Sequence, residues 1–223
     1  MTKNNKKYAA VLFDLDGTIA DTAPDLSFTL NEMLMSRGRE PIALDRVRSV
    51  ASSGAGGLLS KGFETDKNSK EFIQLRLEFL KIYEKNLLRS SKLFEGIECL
   101  LTDLEKNKVP WGVVTNKSHR FTVPLLKGLN IFNRAACVIS GDTTPHPKPH
   151  PAPLFEAARQ LGLDPSQCIY IGDDERDIKA AIAANMDSVA ALYGYLGINS
   201  PPEAWGATYL IVNPSDLLNI IGL

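Results

Sequence analysis

Five short apolar runs separated by helical patterns constrain this chain more than any other feature. They are Ala9 to Phe13, Trp111 to Thr115, Cys137 to Ser140, Cys168 to Ile171 and Ser188 to Leu192. A strand covered on both faces reads as a continuous apolar run rather than an alternating one, and runs of that kind divided by helices mark βα units around a parallel sheet. The helical stretches between them carry Leu101 with Leu104, Leu125 with Leu126, Phe155 with Leu161 before Gly162, and Ile178 with Ile182. The pattern predicts an α/β fold, a Rossmann-like three-layer core with a parallel sheet of about five strands. In open sheets of this kind ligands collect where strands end.

One stretch breaks the alternation. From about residue 22 to 90 the β-rich runs disappear and helical spacing takes over. Thr22 and Pro24 read as a helix start, Leu26, Leu30, Met33 and Leu34 fall on one face, and Gly38 closes the helix. A second helical segment begins near Asp45, the small-residue stretch Ser52 to Gly57 reads as a flexible loop, and a long amphipathic helix carries Phe72, Leu75, Phe79 and Tyr83. Phe94-Glu95-Gly96 reads as the re-entry hinge. With 223 residues there is room for one domain and a sizeable insertion. The expected division is a core of residues 1–20 and 96–223 and an inserted α-helical cap of residues 21–95.

Composition narrows the partners. A net charge of −1 provides no basic field for nucleic acid or an acidic membrane surface. The longest apolar runs are far too short to span a bilayer, and the N-terminus lacks the zones of a secretion signal. Lys3, Lys6 and Lys7 read as a solvated tail. Cys99, Cys137 and Cys168 are odd in number and lack metal-ligand spacing, which argues against a disulfide framework or a zinc site and for a reducing, cytoplasmic setting.

Four polar clusters carry the chemistry. Asp14-Leu15-Asp16-Gly17-Thr18 follows the first apolar run directly. Its two carboxylates repel, so they call for a metal ion, a shared proton or a nearby cation, and Mg²⁺ is the expected cofactor. Thr115-Asn116-Lys117 follows another run and offers a hydroxyl and a backbone N–H to phosphate oxygens, although Thr-Asn pairs also serve as helix caps. Lys148 sits between prolines that restrict the chain, where an exposed loop lysine is the plainer reading. Gly172-Asp173-Asp174-Glu175-Arg176-Asp177 follows a fourth run, and acids there also suit a helix N-terminus. Their joint delivery to one sheet edge outweighs the separate plain readings. His119, His146 and His150 are left out of the chemistry.

In this order the clusters resemble the motifs of the haloacid dehalogenase-like hydrolases: Asp-x-Asp-Gly-Thr, then Thr or Ser, then Lys, then Gly-Asp-x-x-x-Asp. The resemblance implies that Asp14 is the nucleophile and Asp16 the general acid and base. It implies that Asp14, the carbonyl of Asp16 and Asp173 hold Mg²⁺, with Asp174 or Asp177 orienting those ligands. Thr115, the N–H of Asn116 and Lys148 would bind the phosphoryl group. The insertion resembles the cap of phosphoglycolate phosphatase-like members, which makes Ser53, Gly54, Ala55 and Gly56 candidates for a substrate-specificity loop, an ordinary interhelical turn being the alternative. Arg46, Arg76 and Arg89 are candidates to meet a substrate carboxylate, solvated residues on helices being the plainer reading. Tyr193-Gly194-Tyr195 and Pro202 to Ala207 are similar to segments of bacterial phosphoglycolate phosphatases and of the allied N-acetylmuramate 6-phosphate phosphatases.

The expected activity is therefore Mg²⁺-dependent hydrolysis of a small phosphorylated substrate through an aspartyl phosphate. 2-Phosphoglycolate stands first and N-acetylmuramate 6-phosphate is the alternative; β-phosphoglucomutase activity ranks third. A phosphorylation-receiver module is the non-enzyme reading. No nucleic-acid or membrane partner is expected, and the protein should be a monomer or homodimer.

Overall fold

The computed structural model describes residues 8–66, 68–197 and 200–223. Lys3, Lys6 and Lys7, expected as a solvated tail, lie outside them. The chain enters on Ala10–Phe13 (β1) and turns through Ala20–Asp21 (β2) into four helices: Ala23–Met35 (α1), Leu44–Ala51 (α2), Gly54–Phe63 (α3) and Lys70–Asn86 (α4). Lys92–Leu93 (β3) pairs antiparallel with β2 and returns the chain to βα order. Then come Ile97–Lys106 (α5), Trp111–Val114 (β4), His119–Gly128 (α6), Cys137–Ile139 (β5), Ala152–Leu161 (α7) and Cys168–Gly172 (β6). Glu175–Ala183 (α8), Asp187–Ala191 (β7), Tyr209–Ile211 (β8) and Asp216–Ile221 (α9) complete it. Among the described residues no helix is long and apolar enough to cross a membrane.

The main sheet is six-stranded and parallel, in the order β5-β4-β1-β6-β7-β8. β1 is central, with Val11 opposite both Trp111 and Ile169. Alternate side chains leave a strand on opposite faces. Val11 and Phe13 accordingly join one apolar cluster with Leu101, Leu104 and Leu125, while Ala10 and Leu12 join another with Leu154, Ala157 and Ala180. This two-sided burial is why β1 reads as an unbroken apolar run. Because β1 lies between β4 and β6, the ends of these three strands converge where the strand order reverses.

Two elements differ from the sequence expectation. A sixth strand, β8, lies at the sheet edge, where Ile211 is buried but Tyr209 and Leu210 are exposed. The stretch expected as a flexible loop instead opens α3 at Gly54. Glycine lowers helix propensity and so reads as a loop. Here packing wins: a Cβ on Gly57 would stand 2.3 Å from the Cβ of Ser53, so only glycine permits this close turn between α2 and α3.

α1 to α4 enclose an apolar cluster of their own, in which Leu30, Met33, Leu58, Phe79 and Tyr83 are buried together, and Phe121 and Tyr195 join it from outside the four helices. Each fully buried side chain of this size stabilises by about 1.5–3 kcal/mol. Asp25, fully buried on α1, ties the layer to the returning chain. It accepts hydrogen bonds from Ser90 N at 2.7 Å, Ser91 N at 3.2 Å and Ser91 Oγ at 2.6 Å. Replacing Asp25 by alanine leaves these donors unpaired, which should cost about 2–4 kcal/mol. In thermal unfolding the midpoint should fall by about 5–12 °C; an unchanged midpoint would show that the tie adds nothing.

Candidate active site

The end of β1 delivers the first two carboxylates. Gly17 follows them with φ +90°, and a Cβ there would stand 2.1 Å from Asp173 Oδ2, so glycine is the residue that lets this turn lie against β6. Asp173 is fully buried. It accepts hydrogen bonds from Thr18 Oγ1 at 2.8 Å and from the N–H of Tyr195 at 2.9 Å. Tyr195 is tied at its other end as well. Its hydroxyl accepts from the N–H groups of Thr22 and Ala23, at 2.7 and 2.9 Å, and donates to Asp21 Oδ1 at 3.0 Å. Arg48 on α2 grips the same Asp21 carboxylate with two nitrogens.

Lys148 is only 4% exposed, which overturns the reading of an exposed loop lysine. Its backbone is fixed by the side chain of Asn116, which donates to Lys148 O and accepts from Lys148 N, each at 2.9 Å. An ammonium has three protons. They go to Asp177 Oδ1 at 2.6 Å, Tyr170 OH at 2.7 Å and Val114 O at 3.0 Å. Asp14 Oδ1 also lies 2.8 Å from Nζ, yet it receives no aligned hydrogen bond. The lysine therefore sets a positive charge beside Asp14 while leaving that oxygen without an aligned hydrogen bond.

Ligand oxygens of Asp14, Asp173 and Asp177 all lie within 4.8 Å of one another. Burial pushes the Asp14 carboxyl up to about 7, against the pull of Lys148 and with the neighbouring acids Asp177 and Asp16 adding to the rise. Burial also raises Asp173, again reinforced by Asp14 and Asp177. Crowded hard oxygens with one buried lysine among them, and an Asp14 oxygen without an aligned hydrogen bond, fit a small divalent cation. The two other acids of the fourth motif differ. Asp177 spends Oδ1 on Lys148 and Oδ2 on the N–H of Asp174, 3.1 Å away. Asp174 turns to Arg176, whose Nε stands 2.7 Å from Oδ1 and whose Nη2 donates to Ser52 O at the end of α2.

Asp16 has separate partners. Lys117 Nζ stands 2.9 Å from Asp16 Oδ1, and it also donates to Tyr83 OH on α4 at 2.9 Å. Burial works against the Lys117 charge, but Asp16 and Tyr83 outweigh it and raise the pKa above the usual lysine value. Thr22, expected to cap α1, makes no side-chain cap; its Oγ1 donates to Asp16 instead. Sequence reasoning quoted Lys117 and Arg176 within their motifs but gave neither a role, and it placed Tyr83 only on an apolar face. The available signal was position, since Lys117 stands two residues beyond Thr115 at the same strand end.

Asp14, Asp16, Lys117, Lys148, Asp174, Arg176 and Asp177 border a cavity of about 390 Å³ between the strand ends and the helices, which Asp173 itself does not line. Thr115 lines it and is buried, its Oγ1 accepting from Lys117 N at 3.1 Å. Ser53, Gly54, Ala55 and Gly56 line the opposite side, as a turn and the first residues of α3. Of the three arginines considered for a substrate carboxylate, Arg76 borders the cavity, whereas Arg46 and Arg89 do not. Arg89 lies over the ring of Phe28, 3.9 Å from its centre.

Residues 11–191 match the family described as haloacid dehalogenase-like hydrolase. The N-acetylmuramic acid 6-phosphate phosphatase of Pseudomonas putida is 41% identical over 212 residues, covering 95% of each chain. A phosphoglycolate phosphatase of Xanthomonas campestris is 46% identical over 209 residues, covering 93% of this chain and 94% of its own. The solved structure of a predicted phosphoglycolate phosphatase from Haemophilus somnus superposes with a TM-score of 0.84 at 29% identity, over 96% of this chain and 97% of that one. The four motif clusters meet at one sheet edge and the family match spans most of the sequence; the chain belongs to the haloacid dehalogenase-like hydrolases.

Proposed function

We propose that this chain is a Mg²⁺-dependent phosphomonoester hydrolase in which Asp14 attacks phosphorus and becomes an aspartyl phosphate. The observation that carries the proposal is the Asp14 oxygen held 2.8 Å from Lys148 without an aligned hydrogen bond, at the floor of the cavity. An oxygen so placed is charge-compensated yet free to bond. Asp14, Asp173 and the carbonyl of Asp16 would hold Mg²⁺, which supplies positive charge against the phosphoryl oxygens when bound.

Thr115 Oγ1 and the N–H of Asn116 hold the transferring group, while Lys148 offsets its charge and that of Asp14. Asp177 orients Lys148, and Asp174 holds Arg176 at the rim. Asp16 gives a proton to the leaving oxygen and then takes one from the water that hydrolyses the intermediate. Lys117 and Thr22 fix the Asp16 carboxylate in the direction this exchange requires. Phosphoryl transfer asks a protein mainly for position and charge, and each 1.36 kcal/mol of relieved repulsion speeds the step about tenfold.

The four helices of residues 21–95 act as the cap over a core of residues 1–20 and 96–223, with Ser53 to Gly56 facing the leaving group. Three free cysteines, two of them buried, suit a cytoplasmic setting. Relatives are named for two substrates, 2-phosphoglycolate and N-acetylmuramic acid 6-phosphate. The sequence puts 2-phosphoglycolate first. A cavity of about 390 Å³ falls within the range of ligand pockets, roughly 300–1,000 Å³, and so leaves room for the bulkier sugar phosphate as well.

Asp14→Asn should abolish turnover with unchanged circular dichroism, since the amide keeps the shape and loses the nucleophile; residual phosphatase activity in that variant would refute the assignment. Proton linkage gives a second expectation. Folded and metal-free, Asp14 holds its proton up to about pH 7, whereas the unfolded chain releases it near ~3.9. Metal-free stability from this group therefore falls as pH rises through that window, and a cation needing the carboxylate binds best above it. Mg²⁺ at about a hundred times its dissociation constant should stabilise by about 2.7 kcal/mol at pH 8. The thermal shift should be much smaller at pH 5, and equal shifts at both values would count against the site.

A further inference from the structure

Four cations border the cavity, and three have carboxylate partners: Lys148 with Asp14 and Asp177, Lys117 with Asp16, and Arg176 with Asp174. Arg76 is the fourth, and it has no ion pair or hydrogen bond among the described residues. Its neighbours three and four positions away on α4 are Phe72, Ile73, Phe79 and Leu80, so the helix itself offers no acid to pair with it. Exposed on α4, it nonetheless faces the cavity. Arg76, Phe79, Leu80 and Tyr83 all line the cavity, at the spacing that makes one face of a helix.

Distance then restricts what Arg76 can hold. Tyr83 marks the catalytic end of this face, because its hydroxyl accepts from the lysine that pairs with Asp16. Arg76 stands seven residues earlier, about 10.5 Å along the axis at the ~1.5 Å rise of a helix. Helical side chains lean toward the N-terminus, which carries its guanidinium farther from Asp16. A ligand whose phosphate meets Asp14 reaches Arg76 only with a second anionic group well removed from the phosphate. 2-Phosphoglycolate is too short, since its carboxylate is bonded directly to the carbon that bears the ester oxygen.

We propose that Arg76 is the carboxylate anchor of this cavity and selects phosphomonoesters whose carboxylate stands about a sugar ring away from the phosphate. Phe79, Leu80 and Phe121 form the apolar wall between the two anionic ends. An arginine suits the far end because its planar fork meets a carboxylate with two parallel hydrogen bonds. The inference rests on the phosphomonoesterase reading above and adds to it the residue and the spacing that choose the substrate.

The test compares N-acetylmuramate 6-phosphate with N-acetylglucosamine 6-phosphate, a matched sugar ester without the carboxylate, and with 2-phosphoglycolate. Wild-type protein should show its highest kcat/KM on the muramate ester. Arg76→Met should lower the muramate-to-glucosamine preference by about tenfold or more, the size expected for a charged hydrogen-bonded contact, with the loss mainly in KM. Arg76→Lys should recover part of it. An unchanged preference in Arg76→Met, or a wild-type preference for 2-phosphoglycolate, overturns the anchor while leaving the hydrolase reading intact. Failure to hydrolyse these esters and p-nitrophenyl phosphate alike, with Mg²⁺ present, overturns both.

Discussion

The buried ammonium of Lys148 is the point on which the geometry of the site depends. Taking a charge out of water costs several kcal/mol, and a nearby acid repays this only when the remaining protons are also satisfied. Here Asp177, Tyr170 and the carbonyl of Val114 take them, and each comes from a different segment of the core. The lysine therefore sits correctly only if β4, β6 and the start of α8 are in register around β1. Asn116 completes the arrangement by clamping the lysine's own backbone. Such a cluster contributes little net stability, but it fixes where the charge partner of Asp14 stands.

Contacts from the helical layer reach the same site at several points. Tyr83 meets Lys117, the partner of Asp16, and the carbonyl of Ser52 receives a hydrogen bond from Arg176, the partner of Asp174. In both cases a cation bridges an acid at a strand end and a polar group of the four-helix layer. The layer thus covers the cavity while taking part in the charge pattern beneath it.

Much of this was legible in the chain because the relevant signals are local. β1, β4 and β6 are covered on both faces and so show as continuous apolar runs, with Asp14, Thr115 and Asp173 directly behind them. β8 was missed because an edge strand of three residues leaves little pattern. The small-residue stretch before α3 was misread because glycine signals a loop locally, whereas the reason for Gly57 is the nearness of Ser53. The burial of Lys148, the grip of Lys117 on Asp16 and the turn of Thr22 toward the same carboxylate depend on partners distant in sequence or on the fold of a turn. No periodicity reports such pairings.

Tyr195 joins two places that the chain order keeps far apart. Its N–H supports Asp173, and its hydroxyl holds the backbone at Thr22 and Ala23, where α1 begins, together with Asp21. Tyr195 thus links the acid cluster, through its backbone, to the start of α1, through its hydroxyl. The seating of Asp173 and that of α1 therefore share one support, and a change at Tyr195 disturbs both.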